Sequence, residues 1–146
     1  MGISWDDEVQ VAYAVLVLPD GRIVCQKPSG KSSIGKWQAT AYRVMNDKTP
    51  IEAATHIIDV MFHLKIPKSN CIHMISYFSE VLKKRLEVVV CKIKSGESIV
   101  IPSYMTVCFK DYNTLIRDMV ADQEIFTPDT VQAINLLDGM TRFGRK

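Results

Sequence analysis

Thr49-Pro50 is followed by fourteen residues, Ile51 to Leu64, that contain neither glycine nor proline. A threonine hydroxyl can accept from an otherwise unpaired N–H at a helix start, and proline fits the first turn because its missing donor has no partner there anyway. The segment therefore predicts a helix that stops before Pro67. Runs rich in β-branched and aromatic residues lie on both sides of it, which confines the chain to an α/β fold.

Upstream, Val9 to Leu18 reads as a strand halted at Pro19-Asp20-Gly21-Arg22, a turn that sends the chain back through an antiparallel partner, Arg22 to Gln26. Lys27 to Lys36 holds two glycines, three serines and a proline, which mark a surface loop, and Trp37 to Val44 forms a short extended segment. Downstream, Cys71 to Phe78 and Arg85 to Lys94 are strand-like, Ser95-Gly96-Glu97 breaks the chain, and Tyr104 to Phe109 is a further short strand. Asp111 to Ala121 reads as a helix, a last one starts at Thr127-Pro128 and runs through Leu137, and the basic tail Arg142 to Lys146 is expected to fray. A mixed sheet sandwiched by helices buries all of these apolar faces.

A length of 146 residues suits a single domain, 1–146, able to bury about 70% of the surface its unfolded chain exposes. Eighteen basic and sixteen acidic residues leave a net charge of +2, so composition gives no field able to hold a polyanion by itself. Cys25, Cys71, Cys91 and Cys108 are widely spaced with no C-x-x-C pair, and they read as reduced thiols of the core. Met1 to Glu8 is acidic and polar, unlike a secretion signal, and no apolar run approaches the ~20 residues of a membrane span. The expectation is a cytoplasmic protein without membrane contact.

The chain resembles the Nudix hydrolase family over nearly its whole length. Gly35-Lys36-Trp37 matches the triplet that ends the family's first loop, and Thr49-Pro50-Ile51-Glu52-Ala53-Ala54 matches the run that leads into its catalytic helix. Phe109-Lys110-Asp111 and Phe126-Thr127-Pro128-Asp129-Thr130 stand where relatives place their closing helices. The resemblance implies an α/β fold of the Nudix-like α/β/α sandwich type with a mixed β-sheet.

Family chemistry rests on the box G-x5-E-x7-R-E-U-x-E-E-x-G-U, with U a bulky aliphatic residue. Threaded without gaps from the Thr-Pro anchor, the box places Tyr42 at its first glycine, Lys48 at its first glutamate and His56 at its arginine. Ile57, Val60 and Met61 then fall at the three remaining glutamates and His63 at the last glycine, while Ile58 and Leu64 keep the aliphatic places. Magnesium and manganese require hard oxygen ligands, which none of those three side chains carries. The resemblance therefore implies a pseudoenzyme with a degenerate box, no catalytic residues, no metal and no cofactor.

Several residues remain as candidates for other work. Trp37, Gln38, Tyr42 and Arg43 lie at the mouth of the equivalent substrate cleft, where an aromatic face stacks a base and a guanidinium holds phosphate. Glu52, His56, Asp59 and His63 form one polar stripe on the helix; solvation outweighs zinc binding there. Ile57, Val60, Met61 and Leu64 are expected to fill the former cleft as added core, the alternative being an apolar groove for a partner. Lys27, Lys31, Lys36 and Lys83-Lys84-Arg85 supply local positive charge of the kind solvated surfaces carry.

The function expected is therefore a non-catalytic binding or regulatory protein acting through protein–protein contact, with homodimer formation compatible. One alternative is a nucleotide- or RNA-binding module without hydrolysis. Another is a divergent metal-dependent hydrolase of nucleoside diphosphate derivatives that uses Asp47, Glu52, Asp59 or Glu97 as displaced ligands.

Overall fold

The run from Val9 to Leu18 becomes β1 (Gln10–Val17), in which Ala12, Tyr13, Ala14, Val15 and Leu16 are all buried. Successive side chains of a strand point to opposite faces, so a strand buried at every position needs a layer on each side. Both layers are present in the computed structural model, which describes residues 9–28, 40–45, 47–80, 82–94, 99–101, 105–121 and 130–136. The even-numbered residues Ala12, Ala14 and Leu16 pack with Ala53, Ala54, Ile58 and Phe62 of α1 (Pro50–Phe62). The odd-numbered Tyr13 and Val15 pack with Leu115 of α2 (Tyr112–Ala121) and with Ala133 and Ile134 of a helical segment at 130–136. An α/β/α sandwich results.

The remaining strands are β2 (Ile23–Pro28), β3 (Thr40–Arg43), β4 (Cys71–Ser79), β5 (Lys84–Lys92) and β6 (Met105–Lys110). Their order across the sheet is β4-β5-β1-β2-β6, with β3 also paired to β1. β1 and β5 run parallel from Gln10↔Arg85 to Val17↔Lys92, and the other pairings are antiparallel, so the sheet is mixed. The far edge of β1 is shared: β3 takes Val11 to Ala14, and β2 meets it at Val17↔Ile23 before turning away to β6. Gly21 sits at φ 92° in the turn between β1 and β2, a conformation glycine adopts without steric cost, and Asp20 accepts from the Arg22 backbone N–H at 3.0 Å.

The helix starts as its sequence predicts. Glu52 N–H donates to Thr49 Oγ1 at 3.2 Å and Thr49 N–H donates to Glu52 Oε1 at 3.0 Å, a reciprocal cap that satisfies two donors of the first turn. It ends at Phe62, before Pro67, because His63 adopts left-handed backbone at φ 52° and closes the last turn by donating to Asp59 O at 3.0 Å. A 3-10 turn, Lys68–Asn70, then leads into β4. Asp111 caps α2 by accepting from the Thr114 N–H at 2.9 Å. No described helix is long and apolar enough to cross a membrane.

Candidate binding site

Pairing of β3 with β1 sets Tyr42 opposite Ala12, on the face of the sheet that α1 covers. The small Ala12 and Ala14 let the helix approach closely, and His56 of α1 comes to lie against Tyr42, with ring centroids 5.1 Å apart and planes tilted by 60°. Beside this aromatic pair opens a cavity of about 390 Å³. Arg43, Lys48, Lys65 and Lys68 contribute four cations to its lining, and Glu52 and Asp59 two carboxylates.

One of those carboxylates is already engaged. Glu52 accepts from Thr49 and faces Lys68 Nζ at 3.5 Å. The Thr49 backbone N–H, above all, together with the Thr49 hydroxyl and the Lys68 ammonium, holds the Glu52 carboxyl below the usual carboxylate range. Positive charge therefore predominates around the cavity, on a wall that also offers two rings.

The predicted site residues divide into two groups. Tyr42, Arg43, Lys48 and His56 converge on the cavity, together with Glu52 and Asp59 of the polar stripe. Ile57, Val60, Met61 and His63 do not line it. Ile57 and Met61 pack partly buried against the core that Leu64 also joins. Val60 departs from the expected core packing: it is 55% exposed, because it stands one turn beyond the exposed His56 on the outer side of the helix. Trp37 and Gln38, with Gly35-Lys36, lie outside the described residues, as do Glu97, Lys31, Thr127-Pro128 and the basic tail.

Lys65, Ile66 and Lys68 of the lining were missed from the sequence. They follow the helix, and the left-handed turn at His63 folds them back beside its first half, where Lys68 reaches Glu52. A pair of lysines close to Pro67 gives no local signal of that return. Among the described residues, no group of three or more His, Cys, Asp or Glu side chains is placed to hold a metal ion.

A second polar group lies on β4 and β5, toward the β4 edge of the sheet. Glu87 of β5, its side chain 4% exposed, accepts from Ser76 Oγ at 2.7 Å and faces His73 Nε2 at 2.6 Å, both on β4. Arg85 donates to the same serine hydroxyl at 3.3 Å and lies over the Phe78 ring, which places one member of the predicted Lys83-Lys84-Arg85 cluster in a local network. Asn70 Nδ2 is buried without a hydrogen-bond partner.

No protein-family model and no curated protein matches the chain. Solved structures do. The solution structure of the E. coli ORF135 protein superposes with a TM-score of 0.69 at 14% identity, covering 99% of this chain and 98% of that one. MutT from Aliivibrio salmonicida or Vibrio cholerae matches with a TM-score of 0.64 at 9% identity over 89% of this chain and 99% of that one. A MutT/nudix family protein from Enterococcus faecalis matches with a TM-score of 0.59 at 9% identity; 75% of this chain is covered, against 46% of that longer chain. The chain thus has a Nudix-like fold.

Proposed function

We propose that this chain is a binding or regulatory protein on a Nudix-like fold, acting by contact with another macromolecule and not by metal-dependent pyrophosphate chemistry. The observation that carries this is the donor set at 57, 60 and 61. Ile57 and Val60 end in hydrocarbon and Met61 in a thioether, and two of the three pack against the core. Magnesium and manganese take hard oxygen ligands, so these residues do not fit the ion on which the family's chemistry depends. Lys48, at the box's first glutamate, adds a cation where an acid would be needed.

The test is incubation of the purified chain with a panel of nucleoside diphosphate derivatives in magnesium and manganese, alongside calorimetric titration of each metal. The expected outcome is neither turnover nor tight metal binding. Metal-dependent turnover abolished by Glu52→Gln would overturn the proposal in favour of displaced acids.

A second reading, a nucleotide- or RNA-binding module without hydrolysis, is favoured by the cavity itself. Tyr42 and His56 offer ring faces, and Arg43, Lys48 and Lys65 offer charge within the same lining. Calorimetric titration with ADP and with a short RNA separates the two readings. Saturable binding weakened at least tenfold by Arg43→Glu would support the module, and binding unchanged by that substitution would count against it.

A further inference from the structure

We propose that Cys71 and Cys91 are a paired oxidation site, closing to a disulfide across the β4–β5 ladder when the folded protein meets a peroxide. The site is independent of what the cavity binds and of the chemistry absent from α1.

All four cysteines of the chain, far apart in sequence, come to stand opposite another cysteine. Register sets Cys71 against Cys91 between β4 and β5, and the backbone register of β2 and β6 sets Cys25 against Cys108. Residues directly opposite in an antiparallel pair have Cα atoms roughly 4.5 to 5.5 Å apart, inside the span of about 4.4 to 6.8 Å that a disulfide bridges. At the first pair the neighbouring thiols also shift each other's ionisation, in opposite directions. Both are present as thiols.

The two sulfurs are not equivalent. Cys91 is 0% exposed in the inner strand β5, and the neighbouring sulfur together with burial pushes its thiol far above the ordinary range. Cys71 is 7% exposed and begins the edge strand β4, just after the 3-10 turn, with its Sγ 3.8 Å from Pro67 O. The hydrogen bond from Cys91 favours its thiolate and pulls the Cys71 thiol down. Cys71 is therefore the attacking sulfur and Cys91 the resolving one.

The chemistry balances with hydrogen peroxide as the oxidant. The Cys71 thiolate attacks one peroxide oxygen, the O–O bond breaks, and the departing hydroxide takes up the thiol's proton as water, leaving a sulfenic acid. Cys91 sulfur then attacks Cys71 sulfur, the S–O bond breaks, and the hydroxyl leaves with the Cys91 proton as a second water. Two thiols are oxidised by two electrons and one peroxide is reduced to two waters.

The experiment exposes the reduced, folded full chain to hydrogen peroxide, removes the excess with catalase, and alkylates in denaturant before intact-mass and peptide mapping. The expected result is two fewer alkyl labels per chain and a peptide linking residues 71 and 91. In Cys91→Ser the Cys71 sulfenic acid has no resolving partner, so dimedone labelling at Cys71 should rise severalfold over the wild type. Repeating the oxidation in denaturing urea should scatter the links among all four cysteines, since native register is then lost. Full alkylation of both residues after peroxide, over-oxidation of Cys71 without a link, or a Cys25–Cys108 link alone would each overturn the proposal. Because the wild-type map decides by itself, misfolding of the serine variant leaves the test intact.

Discussion

Returning carboxylates to the helix tests directly whether its residues 57, 60 and 61 are structural. Val60 is 55% exposed, so Val60→Glu should change stability by no more than about 0.5 kcal/mol in either direction. Ile57 and Met61 are partly buried against the core. Full burial of such a side chain is worth roughly 1.5 to 3 kcal/mol, so losing partial burial costs about 1 kcal/mol at each position. Desolvation of the new carboxylates and their repulsion from each other at i, i+4 spacing add to it, which brings I57E/M61E to about 3 kcal/mol. That is a large share of the roughly 5 to 15 kcal/mol that holds a domain of this size together. Urea unfolding followed by far-UV circular dichroism would resolve V60E, I57E, M61E and the triple variant, with and without millimolar magnesium. A ligand that binds only the folded state raises the midpoint. If the triple variant lost less than about 1 kcal/mol and magnesium then raised its midpoint, packing would not be the role of these residues and the helix would be a ligand platform awaiting its acids.

Four other perturbations probe the helix ends and the buried polar group. His63→Gly should raise stability by about 0.5 to 1 kcal/mol, because His63 holds φ 52° at the helix end and glycine adopts it without strain; calorimetry should show the melting temperature up by roughly 2 to 4 °C. Thr49→Ala removes the hydroxyl that accepts from the Glu52 N–H and should cost about 1 kcal/mol in urea unfolding. The Glu52 carboxyl is held below its ordinary value, so its contribution is complete above the unfolded-state value and disappears as pH falls through the lower folded one; stability curves of Glu52→Gln and wild type should converge on the acid side. Glu87→Ala leaves Ser76 and the one-third-exposed His73 without their acceptor and should cost about 2 kcal/mol, read as a shift in urea midpoint.

The layers of the fold were legible because local chemistry dictated them. Thr49-Pro50 set the start of α1, and Pro19-Asp20-Gly21-Arg22 set the first reversal, since each acts within a few residues of chain. That α1 closes at Phe62 was not legible beyond a stop before Pro67, because histidine at a left-handed position carries no signal that glycine would. Tyr42, Lys48 and His56 were named through the box register and Arg43 through its place at the cleft mouth, but their convergence with Lys65 and Lys68 depends on a tertiary return of the chain. Opposition of the cysteines was likewise invisible. Cross-strand register is fixed by which faces are buried, and a shift of one residue in β4 would have parted Cys71 from Cys91.

Holding a helix against a sheet and holding a metal ion place different demands on the same residues. Ala53, Ala54, Ile58 and Phe62 pack against Ala12, Ala14 and Leu16, and that contact needs only apolar volume at helical spacing. An acid at 57 or 61 would have to be desolvated beside this core, a cost that a bound divalent cation offsets and an empty site does not. Isoleucine and methionine at those places remove the cost outright and extend the core by two side chains. The Nudix-like fold therefore rests on its packing residues, and likeness of backbone to solved structures at 9 to 14% identity shows the scaffold and nothing of the reaction either way.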